Sequence, residues 1–335
     1  MIYSPSNAST GLEFRSGLIQ ASDGLLYGTT VLGGSNDAGT IFRLNPDGTG
    51  YTVLQNLVRG PFTTTGANPL EPLLEASDGN LYGTTYCGGV SNKGVIFSIS
   101  KDTANYTVLK NFGAPVADGD GPMSPLIEAS DGLLYGSTYG GGSTNNGGTI
   151  FRIHKDGSGF EVILAFDAAG SDGRHPCGAL VEWHNGSIYG TTERGGANNQ
   201  GTLFRVNKDN GHYEVLASLG QTIGACPRGG LVQGPDGALY GATEQGGDMG
   251  FGTLFRYGPV FGDILDLQII NQIPILTAIG QPGTNYILEH SFQLGLPASW
   301  TPVLSTNAPP AGRFIIPDDL SPVGTTQQNF YMLRF

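Results

Sequence analysis

The sequence predicts an all-β protein that is built from five copies of one unit. Two sets of aromatic residues recur with the same period. The first set lies in (L/I)-Y-G segments at Tyr27, Tyr82, Tyr135, Tyr189 and Tyr240, which are 55, 53, 54 and 51 residues apart. The second set lies in G-(T/V)-(I/L)-F segments at Phe42, Phe97, Phe151, Phe204 and Phe255, which are 55, 54, 53 and 51 residues apart. Two markers that keep one phase over most of the chain identify a tandem repeat.

The composition favours short strands that are joined by tight turns. Glycine accounts for 55 of the 335 residues, whereas charged side chains make up only 13%. Glycine disfavours helix interiors and supplies the backbone conformations of tight turns. The regular repeat also argues against a disordered glycine-rich tract.

Each unit contains four candidate strands. In the first unit, Asp23-Gly24 and Asp47-Gly48 each stand between two candidate strands, and Asp-Gly is a strong hairpin signal. A glycine-rich loop at residues 33–37 joins the two hairpins. The candidate strands of this unit are Gly17–Ala21, Leu25–Thr30, Thr40–Leu44 and Tyr51–Leu54. A four-stranded meander that repeats at this period predicts the blades of a β-propeller.

The fifth unit predicts how the propeller closes. It contains the first three candidate strands, through Phe255, but no counterpart of the fourth. Met1–Ser4 stands before Leu18 at the spacing that a fourth strand keeps from the next unit. We therefore predict that Met1–Ser4 pairs with the strand that contains Phe255, because this pairing removes an open sheet edge. The interpretation is a five-bladed propeller over residues 1–259.

The repeated unit resembles a known bacterial repeat family. In the first unit the matching segments are Leu18-Ile19-Gln20-Ala21-Ser22-Asp23-Gly24, Leu26-Tyr27-Gly28-Thr29-Thr30, Gly33-Gly34 and Gly39-Thr40-Ile41-Phe42-Arg43. They resemble the Gloeo-Verruco (GloVer) tandem repeat, and the resemblance covers residues 1–257. It implies a repeat fold and export from a bacterial cell, so we expect an extracellular or cell-surface protein. It implies no catalytic residues.

The repeat ends near residue 263, where a second domain is predicted. Its candidate strands are Ile264–Ile275, Asn285–Glu289, Trp300–Val303 and Asn329–Arg334. The segments at 284–289 and 330–334 resemble the small immunoglobulin-like β-sandwich that often follows such repeats. We therefore expect a sandwich over residues 263–335, whose role as a spacer, an anchor or a glycan-binding module stays open.

The charge of the chain excludes two classes of partner. The formal net charge is −12, and the 16 lysines and arginines are scattered along the sequence. Proteins that bind nucleic acids or anionic membrane surfaces present a basic patch, so we expect neither partner. No apolar run reaches the roughly 18 residues of a membrane span, and no signal peptide is visible in the chain. We expect a monomer that binds a small molecule or a glycan.

The three cysteines do not predict a zinc site, because no C-x-x-C pair is present. Cys177 and Cys226 fall in equivalent connections of neighbouring units. A disulfide between them, and a nucleophilic role for Cys177, both stay open at this point.

The connection that leads into each unit predicts where a ligand binds. In propellers this connection and the one between the second and third strands lie on one rim, where ligands commonly bind. The residues of the first connection are Leu12/Glu13, Ala67/Asn68, Pro122/Met123, Arg174/His175 and Ala225/Cys226. Only the fourth copy, Asp172-Gly173-Arg174-His175, combines an acid, a guanidinium and an imidazole. At the end of the second strand the five units carry Val31, Tyr86, Tyr139, Glu193 and Glu244.

These residues predict a metal-assisted hydrolytic site. Asp172, Glu193 and Glu244 are candidate ligands for Ca²⁺, which prefers carboxylate oxygens and polarises a carbonyl group. His175, or the carboxylate of Asp172, would activate water, and Arg174 would stabilise the developing oxyanion. The alternative is that these are ordinary polar residues of surface loops.

Two functions stay open. The first is an extracellular hydrolase that opens a small lactone or ester with a calcium-type site at the channel mouth. The second is a non-catalytic propeller that binds a glycan or another surface polymer. One unusual copy favours catalysis, whereas repeated binding predicts five similar pockets that the shared Tyr-Gly-Thr-Thr segments would form.

Overall fold

A computed structural model describes residues 8–113, 115–143, 145–167 and 172–258, and six strands between residues 264 and 334. The described residues form β-strands with short 3₁₀ turns at Ala8–Thr10 and Val116–Asp118. The predicted all-β class is therefore confirmed. The chain divides into two compact units, residues 1–231 with 241–255 and residues 232–240 with 256–335.

The first repeat forms one antiparallel sheet in which strand order follows the chain. Its strands are β1 (Ile19–Gln20), β2 (Leu26–Thr30), β3 (Thr40–Leu44) and β4 (Thr52–Asn56). The strand boundaries agree with the predicted ranges to within two residues, because the Asp-Gly turns fix where each hairpin reverses.

The next three repeats preserve this meander and add a strand in the connection that precedes it. The second repeat contains β5 (Gly66–Ala67), β6 (Leu74–Glu75), β7 (Leu81–Thr85), β8 (Cys87–Gly88), β9 (Val95–Ile99) and β10 (Tyr106–Asn111). The third contains β11 (Asp120–Pro122), β12 (Ile127–Glu128), β13 (Leu134–Gly140), β14 (Thr149–Ile153) and β15 (Glu161–Ala165). The fourth contains β16 (Gly173–Pro176), β17 (Val181–Glu182), β18 (Ile188–Gly195), β19 (Thr202–Val206) and β20 (Tyr213–Ser218). The added strands β11 and β16 pair with β13 and β18, respectively.

The fifth repeat has three strands among the described residues. They are β21 (Val232–Gln233), β22 (Leu239–Ala242) and β23 (Leu254–Tyr257), and they form a sheet in that order. Met1–Ser4, the predicted fourth strand, lies outside the described residues, so its pairing stays a prediction. The described repeats thus form a series of antiparallel sheets.

The C-terminal segment forms two three-stranded antiparallel sheets. One contains β24 (Ile264–Ile270), β25 (Ile273–Ile279) and β28 (Arg313–Pro317), and the other contains β26 (Asn285–Ser291), β27 (Thr301–Asn307) and β29 (Phe330–Arg334). The single strand predicted over residues 264–275 is wrong, since two strands pair there as a hairpin. The strand β28 was not predicted. The proposed domain boundary at residues 259–263 lies outside the described residues.

The Tyr-Gly pair of each repeat has a packing reason. Tyr27 is fully buried, and its hydroxyl donates a hydrogen bond of 2.7 Å to Asp23 in the preceding turn. A Cβ on the neighbouring Gly28 would lie 2.8 Å from the ring of Phe42, which faces it across the sheet. Only glycine therefore leaves room for the ring of the repeated phenylalanine to cover the second strand.

Neighbouring repeats are joined by hydrophobic packing between their sheets. Tyr27 and Ile41 of the first repeat pack with Leu73, Leu81 and Phe97 of the second in one buried cluster. Equivalent clusters join the second repeat to the third and the third to the fourth. Burial of these apolar side chains is the main force that holds the repeats together.

Polar contacts near the hairpin turns also join the first repeat to the second, the second to the third and the third to the fourth. Glu75 of the second repeat accepts hydrogen bonds from the amide and hydroxyl of Ser22 in the first, at 2.8 and 2.6 Å, and pairs with Lys101. We call this arrangement the serine–glutamate–lysine clasp. The other two clasps are formed by Ser77, Glu128 and Lys155, and by Ser130, Glu182 and Lys208.

Candidate functional site

At one equivalent position in the connection into each repeat, the backbone is left-handed. The residues at this position are Glu13, Asn68, Gly121, His175 and Cys226, with φ between 53° and 59°. The counterpart of Arg174/His175 in the third repeat is therefore Asp120/Gly121, and the predicted pair Pro122/Met123 is wrong. That connection contains prolines at positions 122 and 125, and strand pairing shows that the former matches Pro176.

His175 lies against the third repeat. Its ring stacks on Tyr139 with the centroids 4.5 Å apart and the planes 15° apart. Its Nδ1 donates a hydrogen bond of 2.9 Å to the carbonyl oxygen of Tyr139, which places a proton on that nitrogen. Its backbone amide donates to the carbonyl of Gly147 at 2.7 Å. These contacts fix the ring beside Tyr139.

Arg174 and Asp172 lie in other surroundings. Arg174 donates a hydrogen bond of 2.8 Å from Nη2 to the side chain of Asn199, in the loop between β18 and β19. Asp172 is exposed, and its carbonyl accepts a hydrogen bond from the amide of Gly196. Both contacts lead to the loop between β18 and β19.

Glu193 and Glu244 are joined through an arginine that sequence reasoning missed. The guanidinium of Arg228 lies 3.3 Å from Glu193 Oε1 and 3.1 Å from Glu244 Oε2. Glu193 is 5% exposed and also accepts a hydrogen bond of 3.3 Å from the hydroxyl of Tyr139. The negative charge of Glu193 raises the pKa of Arg228 above its ordinary value. The cation between these carboxylates is thus supplied by the chain itself.

The donor set that was predicted for calcium is not assembled. Among the residues that the structure describes, no group of three or more His, Cys, Asp or Glu side chains is placed to hold a metal ion. The two carboxylates that do approach one another already pair with Arg228. Calcium binding therefore stays a prediction for titration to test.

A pocket of about 440 Å³ lies where four successive repeats converge. Its lining residues are Glu71, Tyr86, Met123, Tyr139, Cys177, Glu193 and Arg228. The end of the second strand contributes Tyr86, Tyr139 and Glu193, and the position two residues after the left-handed residue contributes Met123, Cys177 and Arg228. Glu71 lies one position farther along its connection. Of the predicted site residues, Glu193 lines this pocket, whereas Glu71 and Arg228 were not predicted.

Glu71 is the most perturbed acid in this pocket. Burial raises the pKa of its carboxyl to about 7. No lysine, arginine or histidine pairs with it within the described part of the chain. The other repeats carry Ser16, Ser124, Gly178 and Gly229 at this position. The sequence signal for Glu71 was therefore a single carboxyl at a position where the other repeats carry serine or glycine.

Cys177 lines the same pocket as a protonated thiol. Burial, followed by the charge of Glu193, raises the pKa of this thiol to about 12. A thiolate is required for nucleophilic attack, so its surroundings disfavour that role. The three cysteines are free thiols, and the disulfide between Cys177 and Cys226 is not formed.

A larger cavity of about 730 Å³ lies elsewhere and has different chemistry. Its lining residues are Gln55, Thr64, Thr65, Thr103, Ala104, Asn105 and Tyr106. Tyrosine is the one ionisable type among them, and burial raises the pKa of Tyr106 further. This cavity therefore offers no acid or base that titrates near neutral pH, unlike the pocket of Glu71.

Several solved structures share a similar arrangement of strands at low sequence identity. A gluconolactonase of Xanthomonas campestris matches at 15% identity and a TM-score of 0.44, over 81% of this chain and 85% of that one. A chain of a nidogen/laminin complex matches at 16% identity and 0.44, over 67% and 70%. An extracellular domain of a two-component system of B. thetaiotaomicron matches at 10% identity and 0.49, over 81% and 33%. No curated protein matches the chain significantly.

None of the helices in the described residues has the length and apolar character that a membrane crossing needs.

The repeat itself identifies the family. The model of the Gloeobacter/Verrucomicrobia repeat matches residues 1–182 and 144–268, which together span most of the chain. These are the residues in which the tyrosine and phenylalanine markers keep their phase. The chain belongs to the Gloeobacter/Verrucomicrobia repeat family.

Proposed function

We propose that this protein is a hydrolase of small lactones or esters and that the pocket lined by Glu71 and Arg228 is its active site. The observation that carries the proposal is that one pocket is lined both by an acid whose pKa is about 7 and by a guanidinium that two carboxylates hold. A general base is most effective when its pKa lies near the working pH. Strongly shifted acids in clefts are frequent at catalytic sites.

The proposed reaction begins with water activated by Glu71. The carboxylate takes a proton from a water molecule as the water oxygen bonds to the ester carbonyl carbon. The guanidinium of Arg228 donates hydrogen bonds to the oxyanion that develops. When the carbon–oxygen bond of the ester breaks, Glu71 returns the proton to the departing alkoxide. The product acid then loses its own proton to solvent.

Two contacts prepare the donors for this role. Arg228 is held by Glu193 and Glu244 together, so its guanidinium is oriented before a substrate enters. Burial, and then the charge of Glu193, raises the pKa of Tyr139, so its hydroxyl stays protonated at neutral pH and keeps donating to Glu193, which holds the arginine. Donors fixed in advance stabilise a transition state without reorganisation.

This assignment differs from the predicted catalytic set of Asp172, Arg174 and His175. Glu71 and Arg228 line the pocket, whereas Asp172 is exposed and Arg174 bonds to Asn199. We assign His175 a supporting position behind Tyr139. No step of the proposed reaction passes through calcium.

The non-catalytic alternative depends on surfaces that the repeats share. Tyr27, Tyr82, Tyr135 and Tyr189 are at most 2% exposed, and the threonines that follow them are also buried. In these four repeats the Tyr-Gly-Thr segments therefore belong to the core, which weakens the argument for five equivalent glycan pockets. One distinct pocket supports a single-site enzyme.

We propose further that the repeats form a five-bladed propeller, that residues 263–335 form an immunoglobulin-like sandwich, and that the protein works outside the cell. The support is the repeated four-strand meander, the three strands of the fifth repeat and the two C-terminal sheets. Membership of a repeat family of predicted exported proteins supports the location.

The test is hydrolysis of δ-valerolactone and 4-nitrophenyl acetate by the wild type and three variants. We expect Glu71→Gln to lower kcat by about 10²–10⁴-fold and Arg228→Gln by about 10²–10³-fold. His175→Asn, which keeps a residue that tolerates the left-handed backbone, is expected to lose less than about 10-fold.

The same assay separates the alternatives. Activity that persists in EDTA supports the metal-free reaction, whereas loss in EDTA and recovery with calcium supports the set Asp172, Glu193 and Glu244. Full activity of Glu71→Gln overturns the assignment. Absence of hydrolysis, with retention on a polysaccharide matrix, favours the binding protein.

A further inference from the structure

The pocket has two unlike walls. The second and third repeats contribute an apolar wall of Tyr86, Met123 and Tyr139. The fourth and fifth repeats contribute a charged wall that includes Glu193 and Arg228. The division is present in the sequence, because the end of the second strand is Val, Tyr and Tyr in the first three repeats and Glu in the last two. A ligand in this pocket must satisfy both walls.

The two tyrosine rings of the apolar wall are held by their neighbours. Tyr86 lies over Gly121, where an added Cβ would come within 3.0 Å of its ring. Tyr139 is stacked on His175 with the ring centroids 4.5 Å apart. Tyr86 nevertheless remains 42% exposed. Rings that are already ordered bind a flat partner with little further loss of side-chain entropy.

The pocket as a whole carries an excess of negative charge when Glu71 is ionised. Arg228 neutralises one of the two carboxylates that it contacts, and Glu71, which the second repeat contributes, adds a third carboxyl group. Arg194 lies 3.6 Å from Glu193, but carboxyl groups still outnumber guanidiniums. An anionic ligand would therefore meet a repulsive field in a site of reduced dielectric constant.

We propose that the pocket selects uncharged lactones whose ring packs on the apolar wall, and that it rejects compounds bearing a carboxylate or a phosphate. The inference rests on the proposed function for the reaction itself. The binding preference follows from the two walls and does not require turnover.

The test compares two lactams that the protein does not need to hydrolyse. 2-Piperidone and 6-oxopiperidine-2-carboxylate share a six-membered ring and differ by one carboxylate. Ligand-observed NMR on the full chain at pH 8 measures both dissociation constants. We expect 2-piperidone to bind at least about 10-fold more tightly than 6-oxopiperidine-2-carboxylate.

Substitutions in each wall test whether that wall determines the preference for 2-piperidone over the carboxylate. Tyr86→Ser is expected to weaken 2-piperidone binding by about 5-fold or more, because it removes a stacking surface. Glu244→Gln is expected to narrow the difference between the two lactams, because it removes one negative charge. Phe62→Asn is the matched control, since Phe62 is an 84% exposed aromatic residue of the same repeat outside the pocket.

Each outcome decides the inference. Equal or tighter binding of the carboxylate, or failure of both lactams to bind, overturns it even if esters are hydrolysed. A preference for 2-piperidone that Phe62→Asn retains and Tyr86→Ser loses supports it. If that preference is found while no ester or lactone is hydrolysed, the selectivity stands and the proposed hydrolysis fails.

Discussion

Arg228 and Glu193 form an ion pair across the boundary between the fourth and fifth repeats, with Nη2 and Oε1 3.3 Å apart. The two partners differ in exposure, since the side chain of Glu193 is 7% exposed and that of Arg228 is 62% exposed. The arginine therefore brings its charge from the rim to a carboxylate that is nearly removed from water. Because burial of an unpaired carboxylate is costly, the arginine supports both the local fold and the shape of the pocket.

Removal of this arginine should destabilise the protein. Arg228→Ala leaves Glu193 without its closest cation, and we expect a loss of about 1–2 kcal/mol, below the value for a fully buried pair because the arginine is exposed. Urea unfolding at pH 7 measures the loss. Arg194→Ala is the control, because that guanidinium lies farther from Glu193, at 3.6 Å. Equal effects of the two substitutions would contradict the role given to Arg228.

Glu71 should cost the protein stability at high pH. Its folded pKa of about 7 lies above the ordinary glutamate value of 4.5, so ionisation disfavours the folded state as pH rises between these values. Glu71→Gln should therefore stabilise the protein by about 1–3 kcal/mol at pH 8 and leave it nearly unchanged at pH 4. Urea unfolding of both proteins at the two pH values tests this. A variant that is less stable at pH 8 would exclude the raised pKa.

The serine–glutamate–lysine clasps should contribute stability with the opposite pH dependence. Burial opposes ionisation of Glu182, but Lys208 and Ser130 outweigh it and hold the pKa of this carboxyl below its usual value. The stabilisation is present above the ordinary glutamate pKa and is lost as pH falls through the lowered one. We expect Glu182→Gln to cost about 1 kcal/mol at pH 7 and nothing near pH 2.

The fifth repeat supplies a natural control for the clasp. Gln233 stands at the position of Glu182, is exposed, and forms no clasp among the described residues. Gln233→Ala should leave the unfolding midpoint unchanged at both pH values. A loss equal to that of Glu182→Gln would mean that the position, rather than the clasp, determines stability.

The predicted closure of the propeller also has a direct test. If Met1–Ser4 supplies the fourth strand of the fifth repeat, deletion of these residues exposes the edge of β23. We expect the truncated protein to melt at a lower temperature and to aggregate more readily than the full chain. Replacement of the four residues by a different strand-forming sequence should restore part of the loss. An unchanged melting temperature would refute the closure.

The fold was predictable because the same strand and turn residues recur in each repeat. Tyr27 and Phe42 recur with their turns, so hairpin positions could be derived by comparing the units. The hairpin at residues 264–279 was missed because it has no second copy, and because only Asn271 and Gln272 separate its two apolar strands in the sequence. Periodicity therefore located strands only where it was present.

The candidate site was less predictable because the repeats differ in length at the connections. A shift of two residues when the repeats are compared changes which residues correspond. Placing Met123 opposite His175 obscured the fact that Gly121 holds the left-handed position. Glu71 was not predicted, although its counterparts are serine or glycine, because a lone carboxyl is a weaker signal than the cluster of acidic and basic residues at Asp172. The partnership of Arg228 with Glu193 is a contact between repeats, which a single sequence does not specify.

The central claim is that Glu71 is the general base, and the pH dependence of kcat/KM tests it most directly. For hydrolysis of δ-valerolactone between pH 5 and 9, the account predicts a rise with an apparent pKa near 7, the folded pKa of Glu71. Glu71→Gln should abolish that rise together with most of the activity, while His175→Asn keeps the profile. A profile that is unchanged in Glu71→Gln and lost in His175→Asn would contradict the account.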